Sequence, residues 1–271
     1  MNKRKLGIAY NLYDGEELLE SSLTNMRSMV DYICVVYQTK SNFNQKNENV
    51  EKEVLRLKEK GLIDKIHKYE PFFHYGKDGE LDVLNGLKNE VAKRNIGLKI
   101  CKYNDCGIFM TIDCDEFYDK EEFLKSKDLF IRFNYDSSYC QMRTYYKKPT
   151  LEIVPPETYY VPLFYKIDNR EFNLTNRTIH YPVLADPTRC LQAKNTYIFN
   201  RVEIEMHHYS YVRKSLDSKV MNSSSQRSKL HQMNVIEYFN NFKDEYTKAL
   251  LLGDEKLAEL KKVKNRFNIK I

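Results

Sequence analysis

The run Ile108-Phe-Met-Thr-Ile-Asp-Cys-Asp-Glu-Phe117 is an apolar segment that ends in two aspartates one residue apart. On extended backbone, residues two apart point to the same side, so Asp113 and Asp115 would present both carboxylates together where the segment stops. Two such anions repel unless something positive lies between them. A hard divalent cation does this well, because Mg²⁺ and Mn²⁺ prefer carboxylate and phosphate oxygen and are often held by one or two carboxylates plus substrate phosphates. The ligand this implies is a diphosphate. The competing reading is a solvated acidic turn, since six of the ten residues from Asp113 to Glu122 are acidic. A second concentration of ionisable groups is Glu203-Ile-Glu-Met-His-His-Tyr-Ser-Tyr-Val-Arg-Lys214, in a chain with six histidines. On a strand His207 and His208 would face opposite ways, so only one could reach a given site. Arg213 and Lys214 could meet a diphosphate. Equally, these histidines could serve only to satisfy polar neighbours on an ordinary strand.

The elements that would position these residues follow from the hydrophobic periods. Leu6 to Tyr10, Tyr32 to Tyr37 and Ile108 to Ile112 read as short buried strands, and Lys65 to Tyr69 as a further strand. Between them, Glu16 to Val30, the stretch around Val50, Val54 and Leu57, and Leu81 to Leu98 carry the helical period. This alternation predicts βαβ units and a parallel sheet covered on both faces. Ligands of such sheets sit beyond the carboxyl ends of the strands, which singles out Asn11 and Asp14, Gln38 to Asn42, and Asp113 to Glu116. The first two groups could equally be turn residues. After Asp119 the pattern changes. Tyr139 to Tyr146, Tyr159 to Ile167 and Tyr197 to Met206 read as strands among loops punctuated by proline, appended in antiparallel fashion. Val235, Phe239, Phe242, Tyr246 and Leu250 stand at helical spacing, and a last basic helix is expected from about Glu255 to Phe267. The expected organisation is one catalytic domain over residues 1–214, with halves 1–120 and 121–214, and a helical extension over 215–271.

Composition narrows the class. The 271 residues carry 30% charged and 42% apolar side chains, which excludes a disordered or fibrous chain. The net charge of +6 could favour anionic partners without choosing among them. The basic start is followed by too few apolar residues for a signal-peptide core, no run is long enough to span a bilayer, and the six cysteines form no Cys-x-x-Cys pair. A cytoplasmic protein is the simplest expectation.

The run Thr-Ile-Asp-Cys-Asp-Glu-Phe117 resembles the Asp-x-Asp motif of GT-A-fold glycosyltransferases, particularly glycosyltransferase family 2, in its Leu-Asp-Ala-Asp-Glu-Phe form. Ala9-Tyr-Asn-Leu-Tyr-Asp-Gly-Glu-Glu17 looks like that family's first strand and following Asn-Glu-x turn, and Lys93-Arg-Asn-Ile-Gly-Leu98 looks like its Arg-Asn-x-Gly segment. The resemblance covers about the first 120 residues. It implies an α/β fold of GT-A type, a Rossmann-like, mostly parallel sheet with an antiparallel C-terminal part. It also implies a nucleotide diphosphate sugar donor whose phosphates are bridged by Mn²⁺ or Mg²⁺. Carried over, Asp115 would bind the metal directly and Asp113 would touch ribose or metal. Tyr10, Asn11, Asp14 and Gln38 would lie near base and ribose, and Arg94 near the nucleotide. A late histidine, His207 or His208 with His208 preferred, would complete the metal site. The family's second-strand ending, Asp followed by Gly-Ser, is replaced here by Tyr37-Gln-Thr-Lys-Ser-Asn42.

The implied activity is a hexosyltransferase-type transfer to a glycan or lipid-linked acceptor in surface glycan synthesis. Such transfer expels a nucleoside diphosphate, whose growing charge a Lewis-acid metal can stabilise. An inverting enzyme also needs a carboxylate to take the acceptor proton, and Asp186, Glu203 and Glu205 are the candidates, each of which could instead serve a structural ion pair. The basic tail could rest on the inner face of an anionic membrane. Two other classes compete. A metal-dependent phosphatase of the haloacid-dehalogenase kind would want its Asp-x-Asp near the N-terminal strand. A non-enzymatic glycan- or RNA-binding module suits the 35 aromatics but gives no reason for an acidic strand end; on the favoured reading no nucleic acid is bound.

Overall fold

The computed structural model describes residues 2–73, 75, 84–174, 183–222, 228–253 and 256–271. Leu81 to Val83, where a helix was expected to begin, Pro182 and Glu255 lie outside them. The first half alternates as its periods require: β1 (Asn2–Leu12), α1 (Glu16–Arg27), β2 (Tyr32–Tyr37), α2 (Asn49–Glu59), β3 (Lys65–Lys68), α3 (Leu84–Tyr103) and β4 (Cys106–Ile112). The strands β3, β2, β1 and β4 lie side by side and parallel, as strands joined by crossover helices must. On β1 the period is two. Leu6, Ile8, Tyr10 and Leu12 pack with Leu19, Leu23 and Met26 of α1 and with Val50, Val54 and Leu57 of α2. Ala9 faces the other way, toward Val91 and Leu98 of α3. Gly97 of α3 sits so close that a Cβ on it would lie 2.4 Å from the Ala9 Cβ, so this helix reaches the sheet only because glycine stands there.

Tyr10 is level with Ile112 on one side, and Asn11 with Val36 on the other. The carboxyl ends of β1, β2 and β4 therefore form one edge, and the chain leaving them delivers Asn11 to Asp14, Gln38 to Asn42 and Asp113 to Glu116 to the same place. The second half comprises β5 (Glu116–Phe117), α4 (Lys120–Arg132), β6 (Ser137–Tyr146), β7 (Leu151–Val154), β8 (Tyr160–Lys166), β9 (Thr196–Ile198), β10 (Glu205–Tyr211), α5 (Asp217–Met221), α6 (Lys229–Asn240), β11 (Lys248–Leu250) and β12 (Leu257–Lys262). Strand β8 lies antiparallel between β4 and β6, and β10 runs antiparallel to β5. The expected class is thus adopted, an α/β chain with a parallel core and antiparallel additions. One detail differs: β9 and β10 run parallel to β6.

Part of the acidic run has a local explanation. Asp119 caps α4, accepting from the N–H groups of Glu121 and Glu122, and those two glutamates occupy its first turn. Asp113, Asp115 and Glu116 remain for the sheet edge.

Three expectations fail. The stretch Tyr197 to Met206 is not one strand: β9 ends at Ile198 and Glu203 N–H closes a turn onto Asn200 O. Helix α6 stops at Asn240, so Phe242, Tyr246 and Leu250 are not on it, and Leu250 lies in β11. The expected basic helix after Glu255 is strand β12, paired with β11 and with β7. Leu257, Leu260, Val263 and Phe267 have helical spacing, but pairing with β7 puts Ala258 and Leu260 against the cluster of Tyr146, Ile153 and Phe239, and tertiary packing overrides a weak local period. Among the described residues from 256 to 271, Lys261 and Lys262 stand on strand β12 and no helix forms. Among the described residues, no helix is long and apolar enough to cross a membrane.

Candidate active site

The edge where β1, β2 and β4 end encloses a pocket of about 400 Å³, within the range of small-molecule sites. Asn11, Tyr13 and Asp14 reach it from β1, Gln38 from β2, and Asp113, Asp115 and Glu116 from β4. Helix α3 contributes Glu90, Lys93 and Arg94, spaced to share one face. Asp186, Arg189, His208, Arg213 and Lys219 complete the walls.

Each aspartate of the pair meets its own cations. Asp115, with 5% of its side chain exposed, lies 3.0 Å from both Arg213 Nη2 and Lys219 Nζ through Oδ2, and 3.6 Å from His208 Nε2 through Oδ1. Burial pushes the Asp115 carboxyl up, but Lys219, His208 and Arg213 hold it well below the usual range. Asp113 stands 3.7 Å from Arg94 Nη1 and 3.6 Å from Arg189 Nη1. Arg94 is fixed by donating to Thr111 Oγ1 at 2.7 Å. Arg189 forks onto both oxygens of buried Glu116 and onto the Thr111 carbonyl. Arg213 bridges Asp115 and Asp14, the latter at 2.9 Å. The turn at Gly15 makes room for it: φ there is +85°, and a Cβ would lie 2.9 Å from Arg213 Nη2. Buried Asn11 Oδ1 and Gln38 Oε1 have no hydrogen-bond partner.

Among the described residues no three His, Cys, Asp or Glu side chains gather closely enough to cage a metal by themselves. The donor chemistry still fits an ion shared with a ligand. Asp115 and His208 face each other, His208 Nδ1 is buried without a partner, and burial pushes the His208 pKa down, which keeps a ring nitrogen free to ligate. One or two protein donors completed by phosphate oxygens is how Mg²⁺ is commonly held.

Of the residues singled out from the sequence, Asn11, Asp14, Gln38, Ser41, Asn42, Arg94, Asp113 to Glu116, Asp186, His208 and Arg213 come together here. Tyr10, Glu203, Glu205, His207 and Lys214 do not. Tyr10 points to the opposite face of β1, where its hydroxyl meets Ser22 Oγ at 2.9 Å, because neighbouring strand residues alternate. Lys214 is exposed and absent from the pocket wall, and Lys219 stands there instead. Glu203 closes the turn after β9, accepting from Tyr197 Oη and Asn200 N at 2.8 Å each. Glu205 is paired with Arg143 and Arg201. His207 turns away and binds Tyr145 Oη through Nδ1 at 2.7 Å, as alternation with His208 requires. Tyr13, Glu90, Lys93, Arg189 and Lys219 were not foreseen. The polar stripe at 90, 93 and 94 and the two-residue step from Asn11 to Tyr13 were legible signals; nothing local marks Arg189 or Lys219.

No family model matches the chain, and no curated protein matches its sequence. Among solved structures it is similar to S. aureus TarS, with 11% identity over 88% of this chain and a TM-score of 0.46, spanning 43% of that protein's length. It is also similar to S. aureus TarS 1-349 in complex with UDP-GlcNAc, with 12% identity over 88% of this chain and 72% of that one, at a TM-score of 0.43. The corresponding complex with UDP gives 11% identity over 88% and 71% of the two chains, at 0.44. Likeness at this level says nothing about the chemistry of this chain.

Proposed function

We propose that this chain is a glycosyltransferase of GT-A fold that moves a sugar from a nucleotide diphosphate sugar to a glycan or lipid-linked acceptor, with Mn²⁺ or Mg²⁺ assisting the departure of the diphosphate. The observation that carries this reading is the charge pattern of the pocket. Two carboxylates sit at the end of an interior parallel strand, each faced by two cationic side chains. A diphosphate entering there would meet Arg213 and Lys219, which already hold a carboxylate oxygen at 3.0 Å and can share their remaining donors. Arg94 and Arg189 would offset charge on the Asp113 side. Asn11 and Gln38 offer unpaired oxygens to polar edges of base or ribose.

Asp115 and His208, with Asp113 beside them, would hold the metal. When bound, the metal supplies Lewis-acid stabilisation of the leaving diphosphate. Of the three carboxylates weighed as acceptor base, Asp186 lines the pocket. Its Oδ1 is held by the Thr188 N–H at 2.8 Å and the Thr188 hydroxyl at 2.8 Å, which aims the carboxylate.

The test is a panel of nucleotide sugars, each with Mn²⁺, with Mg²⁺ and with chelator, read by thermal shift and by release of nucleoside diphosphate. The expected result is stabilisation by one donor class that needs the metal, worth about 2.7 kcal/mol at a ligand concentration near 100 times Kd, and lost in Asp115→Asn. Stabilisation by oligonucleotide with no metal effect, or an Asp115→Asn response equal to the wild type, overturns the reading.

A further inference from the structure

Asp186, Thr188 and Glu90 form a chain of three polar side chains along one wall of the pocket. Thr188 Oγ1 lies 2.8 Å from Asp186 Oδ1 and 3.3 Å from Glu90 Oε2, and Thr188 is fully buried. Both separations are hydrogen-bond distances, yet a threonine hydroxyl carries one proton. The turn Asp186-Pro-Thr188 fixes the shorter contact, since Thr188 N–H donates to the same Asp186 oxygen. The hydroxyl proton therefore belongs to Asp186. The longer contact is then a hydrogen bond only when Glu90 supplies the proton; with Glu90 ionised, acceptor would face acceptor.

We propose that Glu90 is a positioning residue: it carries a proton and donates it to Thr188 Oγ1, which donates in turn to Asp186, so that Asp186 is left as the anionic, fixed carboxylate of the two. The use made of Asp186 rests on the transferase reading, whereas the protonation of Glu90 does not. Two carboxyl groups joined through one hydroxyl share a single proton for the reason that close carboxylates do not both ionise. The surroundings agree. Burial, with Asp186 and Asp113 adding to it, pushes the Glu90 carboxyl up to about 7 against the pull of Arg94 and Lys93 on its own helix. Lys93 is itself pushed down to about 8 by burial. Tyr159 and Cys190 also feel the Asp186 charge, and Arg189 follows in the same turn, its N–H on the Asp186 carbonyl.

In the transfer, the acceptor O–H breaks and its proton goes to Asp186. The acceptor oxygen forms the bond to the anomeric carbon, and the diphosphate leaves with the electron pair of the broken C–O bond. Glu90 keeps its proton throughout. Once ionised, Glu90 competes for the Thr188 hydroxyl and draws it from Asp186.

Two measurements test this. Infrared difference spectra should show a protonated-carboxyl stretch in the wild type at neutral pH that is missing in Glu90→Gln; its absence in the wild type overturns the proposal without reference to turnover. The pH profile of nucleotide-sugar turnover should fall on the alkaline side around 7. Glu90→Gln, whose amide still donates but does not titrate, should lose that limb and turn over faster than Glu90→Ala. An unchanged alkaline limb in Glu90→Gln, or a Gln variant no better than Ala, overturns it. If the infrared band is present but no nucleotide sugar binds or turns over, the transferase reading fails while the shared proton stands.

Discussion

Replacing Arg189 with methionine probes the support beneath the pocket. Its guanidinium forks onto both oxygens of Glu116 and onto the Thr111 carbonyl, with side-chain exposures of 6% for Arg189 and 1% for Glu116. Arg189→Met keeps most of the volume but leaves the Glu116 charge buried and alone. Breaking a buried pair by removing one partner costs about 3–5 kcal/mol, against about 0–1 kcal/mol for an exposed pair. For a chain of this size that is a fall in Tm of about 6–20 °C. The pH dependence has a definite sign. Burial already pushes Glu116 up to about 6 even with Arg189 opposing it, and loss of Arg189 moves it higher. A carboxyl raised in the folded state loses stability as pH rises through its folded value, so the deficit should be small near about pH 5 and full near about pH 8. Urea unfolding followed by circular dichroism reads this directly. Adding Glu116→Gln should recover at least half of the loss. A deficit below about 1 kcal/mol at about pH 8, the level of an exposed pair, or a double variant no more stable than the single one, refutes the reasoning.

Other outcomes follow from the same geometry. Gly15→Ala places a Cβ at φ +85° and 2.9 Å from Arg213 Nη2; it should cost about 1–2 kcal/mol and weaken nucleotide-sugar binding, read from the urea midpoint and from calorimetric titration. Gly97→Ala drives a Cβ against Ala9 at 2.4 Å and should cost about 1–3 kcal/mol as overpacking, measured by the same unfolding curves. Asp115→Asn removes the charge that Arg213 and Lys219 share and should lower turnover by about 10²–10³-fold, measured as nucleoside diphosphate release at saturating Mn²⁺.

Much of the fold is local and was legible. The strands and helices up to Ile112, the exposed edge strand β3 apart, bury residues that their own periodicity declares, and the alternation of Leu6, Ile8, Tyr10 and Leu12 with Ala9 even states which side each residue takes. That same alternation separates Tyr10 from the pocket and His207 from His208. Beyond Tyr211 the local pattern misleads. Leu257, Leu260, Val263 and Phe267 are spaced for a helix, yet the presence of β11 and β7 alongside draws Leu257 and Leu260 into strand β12, which ends at Lys262.

The sequence by itself determined the acidic strand end, its place beyond a parallel core, and the polar residues leaving β1 and β2, because strand parity and strand termini are written in neighbouring residues. The tertiary structure alone decided which cations meet those carboxylates. Arg213 and Lys219 reach Asp115 from 98 and 104 positions away, and Arg213 reaches Asp14 across 199. It also decided that Glu205 serves an ion pair while Asp186, Thr188 and Glu90 share a wall. Contacts of that span are set by how packed layers fit together, and a side chain's own neighbours in the chain carry no record of which distant surface it will face.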